Sequence, residues 1–229
     1  MKLIILTGAN KGLGEAIFDI IKNSKNVNLL IITRKNVKDQ HELSKKSNIQ
    51  FINKDLSEIE NVDFITTKID FANTKELVFI NNAATISPIG KIGSFINSDI
   101  YKTIKINTLF PLLLINSICK NGNGMKLNII NISSGAAKHA IDGWSLYCAT
   151  KSCNEMFFKV LKKETKNDNN IQIHNIDPGV MNTDMQKEIR AKSQAEFPDV
   201  ESFISLEKEN KLRKVEEVAF QIINEFEVL

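Results

Sequence analysis

Short apolar runs alternate with amphipathic stretches along the whole chain, and that order leaves few folds open. Residues 2–6, 27–33, 49–53, 76–81, 127–132 and 171–176 are mostly rich in Ile, Leu and Val. Near-continuous apolar runs are what parallel strands need when helices cover both faces of their sheet. Helical periodicity is predicted over 14–23, 37–46, 58–68, 98–120, 145–167 and 215–226. Pro111 falls inside the longest of these and, having no N–H to donate, must kink it or mark a break. The strand–helix order predicts an α/β fold: a doubly wound parallel sheet with right-handed crossovers. No repeat, low-complexity tract or Pro/Ser-rich linker interrupts the 229 residues, so they read as one domain. Residues 182–213 break the rhythm with charged, broken helical signals around Pro198. A stretch of that length without a strand is expected to be a lid over a ligand site.

Composition narrows the partners. The net charge is +3 and there is no long basic run, so neither nucleic acid nor a membrane surface is indicated. No apolar run approaches the roughly 18 residues of a membrane span, and the apolar segment before the first glycine turn is too short for a signal-peptide core. Cys119, Cys148 and Cys153 lack metal-ligand spacing and read as free thiols, mostly packing residues, in a reducing cytoplasm. His41, His139 and His174 sit in no metal or triad arrangement.

The first strand runs directly into Thr7-Gly8-Ala9-Asn10-Lys11-Gly12-Leu13-Gly14, which opens the first helix. Glycines there permit a tight turn and a close backbone approach to a pyrophosphate, which the helix N-terminus favours electrostatically. Gly8, Asn10, Lys11, Gly12, Leu13 and Gly14 are therefore candidate cofactor residues of a Rossmann-like dinucleotide site. An NAD site usually carries an acid about 20 residues past the glycines. This chain has Thr33-Arg34-Lys35 instead. Arg34 can grip a ribose 2′-phosphate with a two-pronged contact, and Lys11 could add a second cation, so NADPH/NADP+ is the expected cofactor. Asp55, followed by Leu56, is placed after the third strand either to meet the adenine amino group or to cap the next helix.

Tyr147 and Lys151 lie four apart on a predicted helix, with Ser134 thirteen residues upstream. An ammonium one turn from a phenol stabilises the phenolate and lowers a pKa that is ordinarily about 10. Ser134 ends an apolar strand at the carboxyl edge of the sheet, where doubly wound folds bind ligands. Its hydroxyl can hold a carbonyl oxygen, whereas Ser133 is expected to be satisfied by local backbone. Together these groups suggest hydride transfer between a nicotinamide cofactor and a carbonyl or alcohol.

On these residues the chain resembles the short-chain dehydrogenase/reductase family over essentially its whole length. The glycine turn Thr7–Gly14, the segment Asn81-Asn82-Ala83-Ala84, Asn107, Ser134, Tyr147 with Lys151, and Pro178-Gly179 followed by Thr183 fall in that family's order. The resemblance implies that Tyr147 donates a proton, Ser134 supports it, and Lys151 holds the nicotinamide ribose and lowers the tyrosine pKa. It implies that Asn107 anchors a water for proton replenishment. Pro178, Gly179, Val180 and Thr183 would lie at the nicotinamide, and Asn81 and Ala83 on the adenosine side. Within the family, the stretches around Ser134, Tyr147 and Asp177–Gln186 are similar to bacterial benzil reductases and sepiapterin reductases. That branch implies reduction of a diketone or similar bulky ketone. Ala84 stands where the family usually has glycine. The chain also has no pattern for the family's usual seventh strand, so six strands are expected and the usual subunit contact is in doubt. A homodimer through the two long helices is the family-level expectation.

Trp144 could wall the substrate or simply anchor the helix entry. Met181 and Met185 are candidates to line the pocket, while Phe197, Phe203 and Leu206 are expected to pack the lid. Two other readings stay open: a 3-oxoacyl-carrier-protein reductase, and a non-catalytic NADP(H)-sensing regulator. The intact Ser134, Tyr147 and Lys151 set argues against the second.

Overall fold

A computed structural model describes residues 1–122 and 124–229. The apolar runs form strands β1 (Lys2–Thr7), β2 (Asn28–Thr33), β3 (Ile49–Asn53), β4 (Glu76–Asn81), β5 (Lys126–Ile132) and β6 (Ile171–Ile176). All pair in parallel, in the order β3-β2-β1-β4-β5-β6. Helices α1 (Gly12–Ile21), α2 (Gln40–Leu43) and α3 (Asp63–Thr66) occupy the first half. The second half holds α4 (Asn97–Ile104), α5 (Phe110–Asn121), α6 (Ser145–Glu164), α7 (Asp184–Arg190), α8 (Val200–Lys208) and α9 (Val215–Glu225). The chain thus folds as a Rossmann-like, doubly wound sheet of six strands. No helix among the described residues is long and apolar enough to cross a membrane.

Because successive strand residues face opposite ways, each apolar run feeds two cores. Ile4, Leu6, Leu29, Ile31, Val78 and Ile80 face α1 and α9, where Phe18, Ile21, Ala219 and Ile222 complete one cluster. Leu3, Ile5, Leu30, Leu77, Phe79 and Ile129 face the other way, against Phe110, Leu114 and Ile118 of α5 and Phe158 of α6. This is why the central strands carry no polar alternation. A third, smaller cluster lies over the carboxyl edge of the sheet. Trp144, Phe197, Val200 and Ile189 pack there with Ile86 and the ring of Tyr147. The segment after β6 therefore has its own apolar anchor, with α7 and α8 packed together above the strand ends.

Several helices are shorter than their periodicity predicts. The 37–46 pattern yields only the four residues of α2, whose N-cap Asp39 is left-handed at φ 57°. The 58–68 pattern splits into a 3-10 turn at Leu56–Glu58 and α3. Thr66 and Thr67 hydroxyls bond back to the Asp63 carbonyl there, a local competition that weakens a helix end. The 98–120 pattern breaks into α4, a π-helical turn at Lys105–Leu109, and α5. Pro111 explains the break, since its missing N–H frees the carbonyl of Asn107 four residues back. Asn154 of α6 supplies the substitute, donating from Nδ2 to that carbonyl at 2.6 Å. The cysteines differ from expectation: Cys119 and Cys153 are exposed, and only Cys148 is partly packed. Cys119 and Cys153 lie on solvent-facing positions of α5 and α6, whereas Cys148 packs against the third cluster.

Phe79 has no solvent exposure and lies mid-sheet. Phe79→Ala should lower the unfolding free energy in urea by about 3–5 kcal/mol. A loss under about 1 kcal/mol would mean that this face is not close-packed.

Candidate active site

The sheet order reverses between β1 and β4, and both strands end at the same edge. A cleft opens outside strand ends at such a switch point. Thr7 and Asn82 fix its floor. The Thr7 hydroxyl accepts the N–H groups of Asn82 (3.0 Å) and Ala83 (2.9 Å). In return, Asn82 Nδ2 donates to the carbonyls of Thr7 (3.0 Å) and Gly8 (3.3 Å). Gly8 and Gly12 have φ of 74° and 58°, in the left-handed region that favours glycine. At Gly14 a side chain would collide with the Gly8 carbonyl and the Asn82 amide, so this glycine serves the close passage of helix and strand.

The cleft has a volume of about 660 Å³, and its wall includes Gly8, Asn10, Lys11, Gly12, Leu13 and Ala83. Asn81 differs from the sequence expectation. Asn82, with Ala83 and Ala84, lines the cleft, whereas the Asn81 side chain points into the sheet. Asn81 Nδ2 donates to Asn131 Oδ1 at 2.9 Å, and Asn131 Nδ2 to Asn175 Oδ1 at 2.7 Å. These asparagines occupy one register across β4, β5 and β6. Asp55 takes the capping role: Oδ1 accepts from Ser57 N at 2.9 Å and Ser57 Oγ at 2.7 Å. Its other oxygen lies 3.7 Å from Arg34 Nη1, and both residues line the cleft with Leu56. Burial alone would raise the Asp55 carboxyl, but Ser57 and Arg34 hold it below the usual carboxylate range. Lys11 Nζ sits 3.9 Å from Asp184 at the start of α7, joining the glycine turn to the lid.

Ser134 ends the run out of β5 and caps a 3-10 turn at Gly135–Ala137, its hydroxyl accepting Ala136 N–H at 3.2 Å. Opposite it, α6 brings in Tyr147 and Lys151, which are 6% and 5% exposed. Lys151 Nζ lies 5.7 Å from the Tyr147 ring centroid and donates to the Ile132 carbonyl at 2.7 Å. Burial lowers this ammonium to about 8, partly offset by the Asp177 carboxylate. Burial also pushes the Tyr147 phenol up to about 12, against the lowering by the Ser134 hydroxyl. The acidification expected from Lys151 is therefore not seen: desolvation, with the Asp177 carboxylate, outweighs the Ser134 hydrogen bond, and the phenol keeps its proton at neutral pH.

Asn107 stands behind the cleft wall and does not line it. Its Oδ1 accepts Thr85 N–H at 2.8 Å, and its Nδ2 donates to the Thr85 carbonyl at 2.8 Å and to Thr150 Oγ1 at 3.1 Å. The π turn thus locks Asn107 to the segment after β4 and to α6. On the lid side Pro178, Gly179, Val180, Met181, Thr183 and Met185 all line the cleft. Thr183 caps α7 by accepting Gln186 N–H at 3.3 Å. Trp144 both lines the cleft and anchors the lid, stacked on Phe197 at 4.9 Å and edge-on to Tyr147 at 5.7 Å. Phe203 packs against Trp144, as expected, but also reaches the cleft. Sequence reasoning missed Ile86, Ser87, Lys102, Ile141, Asp177 and Glu188, which line the cleft too. Only Asp177, next to the Pro-Gly turn, had a local signal that could have marked it. No cluster of metal-ligating side chains occurs among the described residues.

Comparisons with known proteins agree with this geometry. The sequence model of the family described as short chain dehydrogenase matches residues 2–194. A benzil reductase ((S)-benzoin forming) of Bacillus cereus is 33% identical, over 98% of this chain and 93% of that protein. Among solved structures, KRED1-Pglu enzyme superposes with a TM-score of 0.82 at 25% identity, covering 96% of this chain and 92% of the other. ElxO with NADP bound superposes with a TM-score of 0.74 at 27% identity, covering 97% and 90%.

The buried lysine makes a stability prediction with a definite sign. Its folded pKa, about 8, lies below the ordinary lysine value of 10.5, so the unfolded chain binds more protons between those values. The stability of the wild type relative to Lys151→Met should therefore rise as pH climbs from about 8 towards 10.5. Denaturant unfolding at several pH values reads this difference, and a constant or falling gap would refute the burial of the ammonium.

Proposed function

The chain belongs to the short-chain dehydrogenase family, and on that premise we propose that it is an NADPH-dependent carbonyl reductase acting on bulky ketones or diketones. The observation that carries this reading is the buried phenol of Tyr147 lining a cleft with Ser134 and Lys151 beside it. Reduction of a ketone needs a hydride at carbon and a proton at oxygen. A reduced nicotinamide bound in the cleft supplies the hydride. Tyr147 holds the proton, since a phenol near 12 stays protonated at neutral pH. Ser134 presents a hydroxyl to the same oxygen, and Lys151 places a positive charge where negative charge would grow on Tyr147.

The residues present fit a phosphorylated dinucleotide. The glycine turn leaves backbone exposed at the start of α1, and Gly14 allows the helix to approach the strand ends closely. Lys11, Arg34, Lys54 and Lys102 all line the cleft, and Asp55 is engaged by Ser57. These cations suit a 2′-phosphate better than a bare ribose. The NADP complex of ElxO is in keeping with this choice. The substrate end is lined by Ile86, Ile141, Trp144, Ile189 and Phe203. Such a wall suits an aromatic or otherwise bulky carbonyl compound, as the name of the Bacillus cereus relative suggests.

Tyr147→Phe should reduce benzil turnover by roughly a hundred- to ten-thousandfold while leaving NADPH affinity within a few-fold. Wild-type turnover in that variant would refute the role of the phenol. Arg34→Glu should weaken NADPH by about ten- to a hundredfold, the worth of a charge-assisted contact, and leave NADH nearly unchanged. Equal losses for both cofactors, measured by fluorescence titration, would remove the case for NADPH.

A further inference from the structure

Glu155 has no part in the reaction described above, yet it is a carboxylate only 5% exposed, four residues beyond Lys151 on α6. Burying a carboxylate is costly unless it is paired and hydrogen-bonded. Its partners are specific. Oε2 accepts from Ser133 Oγ at 2.9 Å, so Ser133 is held by a helix carboxylate and not by local backbone as its sequence position suggested. Oε1 accepts from Lys159 Nζ at 2.7 Å and lies 3.9 Å from Lys138 Nζ. Its backbone carbonyl receives Asn175 Nδ2 at 3.4 Å, at the end of the asparagine row that crosses the sheet.

Ser133 and Lys138 flank the short turn that begins at Ser134. A third stitch joins the same turn to α6, with Ser152 Oγ donating to the Ala137 carbonyl at 2.8 Å. Two of these three ties end on the Glu155 carboxylate. The helix that carries Tyr147 and Lys151 is thus fastened, through one acid, to both sides of the turn that carries Ser134. We propose that Glu155 is a positioning residue that sets the placement of the Ser134 hydroxyl against Tyr147. The proposal rests on the carbonyl-reductase reading for its chemical meaning, but its geometry can be tested without turnover.

The chain has two tyrosines, Tyr101 and Tyr147, so a protein labelled with 13C at tyrosine Cζ gives two resonances. Tyr101→Phe assigns them. Ser134→Ala should move the Tyr147 resonance, and Glu155→Gln and Ser133→Ala should each move it the same way. In the Ser134→Ala background, Glu155→Gln should add no further shift. With benzil as substrate, kcat should fall roughly ten- to a hundredfold in Glu155→Gln, with the KM for NADPH unchanged and no further fall when combined with Ser134→Ala.

An unmoved Tyr147 resonance in Glu155→Gln would overturn the proposal. So would an equal shift with and without Ser134, because the carboxylate would then act through its charge alone. If Glu155→Gln fails to fold, Ser133→Ala decides by the same reading, since it removes only the hydroxyl that Glu155 accepts. Absence of benzil turnover in the wild type would count against the proposed function, while the resonance still judges Glu155.

Discussion

The ammonium of Lys151 is the group around which the rest of the site is arranged. Almost wholly removed from water, it keeps one hydrogen bond, to the Ile132 carbonyl where β5 ends, and lies near the face of the Tyr147 ring. Such burial costs several kcal/mol for an unpaired charge, so the surrounding structure must hold helix and strand together firmly enough to maintain it. The buried contacts of Phe158 below, and of Trp144 and Phe197 above, supply that hold on either side of the pair. The same burial keeps the phenol protonated. Packing and proton affinity are here two results of one low-dielectric setting.

Polar networks tie this helix to the rest of the cleft. Asn107, freed from regular helix geometry by Pro111, binds the segment after β4 to Thr150 on α6. Thr7 and Asn82 join the glycine turn to the end of β4. In both, side chains pair with backbone groups that the strand ends leave without a ladder partner where the sheet stops. The site is consequently built on strand ends and a long helix, which place atoms more precisely positioned in space than a loop could.

The strands were legible because their apolar runs are continuous, and each begins or ends within one residue of the expected limit. Helices on the polar rim of the sheet were not. Whether 37–46 or 58–68 stays helical depends on turns and threonine back-bonding that periodicity does not register. Tyr147, Lys151 and Ser134 were legible because their spacing carries chemistry, and the structure brings them to one cleft. The direction of the tyrosine shift was not, since it depends on burial that no spacing reveals. Asn81 and Asn82 show the same limit: the last residue of β4 pairs with Asn131 inside the sheet, while its identical neighbour just beyond the strand meets the cleft. Ser133 could not be assigned from sequence because its partner, Glu155, arrives from a helix that is distant in the chain.

In the proposed reaction a hydride reaches a carbonyl carbon while groups of this cleft protonate the oxygen. Reduction of benzil with NADPH carrying deuterium at both C4 positions tests it directly. The benzoin formed should carry one deuterium on the carbinol carbon and a solvent-derived proton on oxygen, read by mass spectrometry and NMR. Benzoin formed without that deuterium, or no reduction of any bulky ketone or diketone offered, would contradict it.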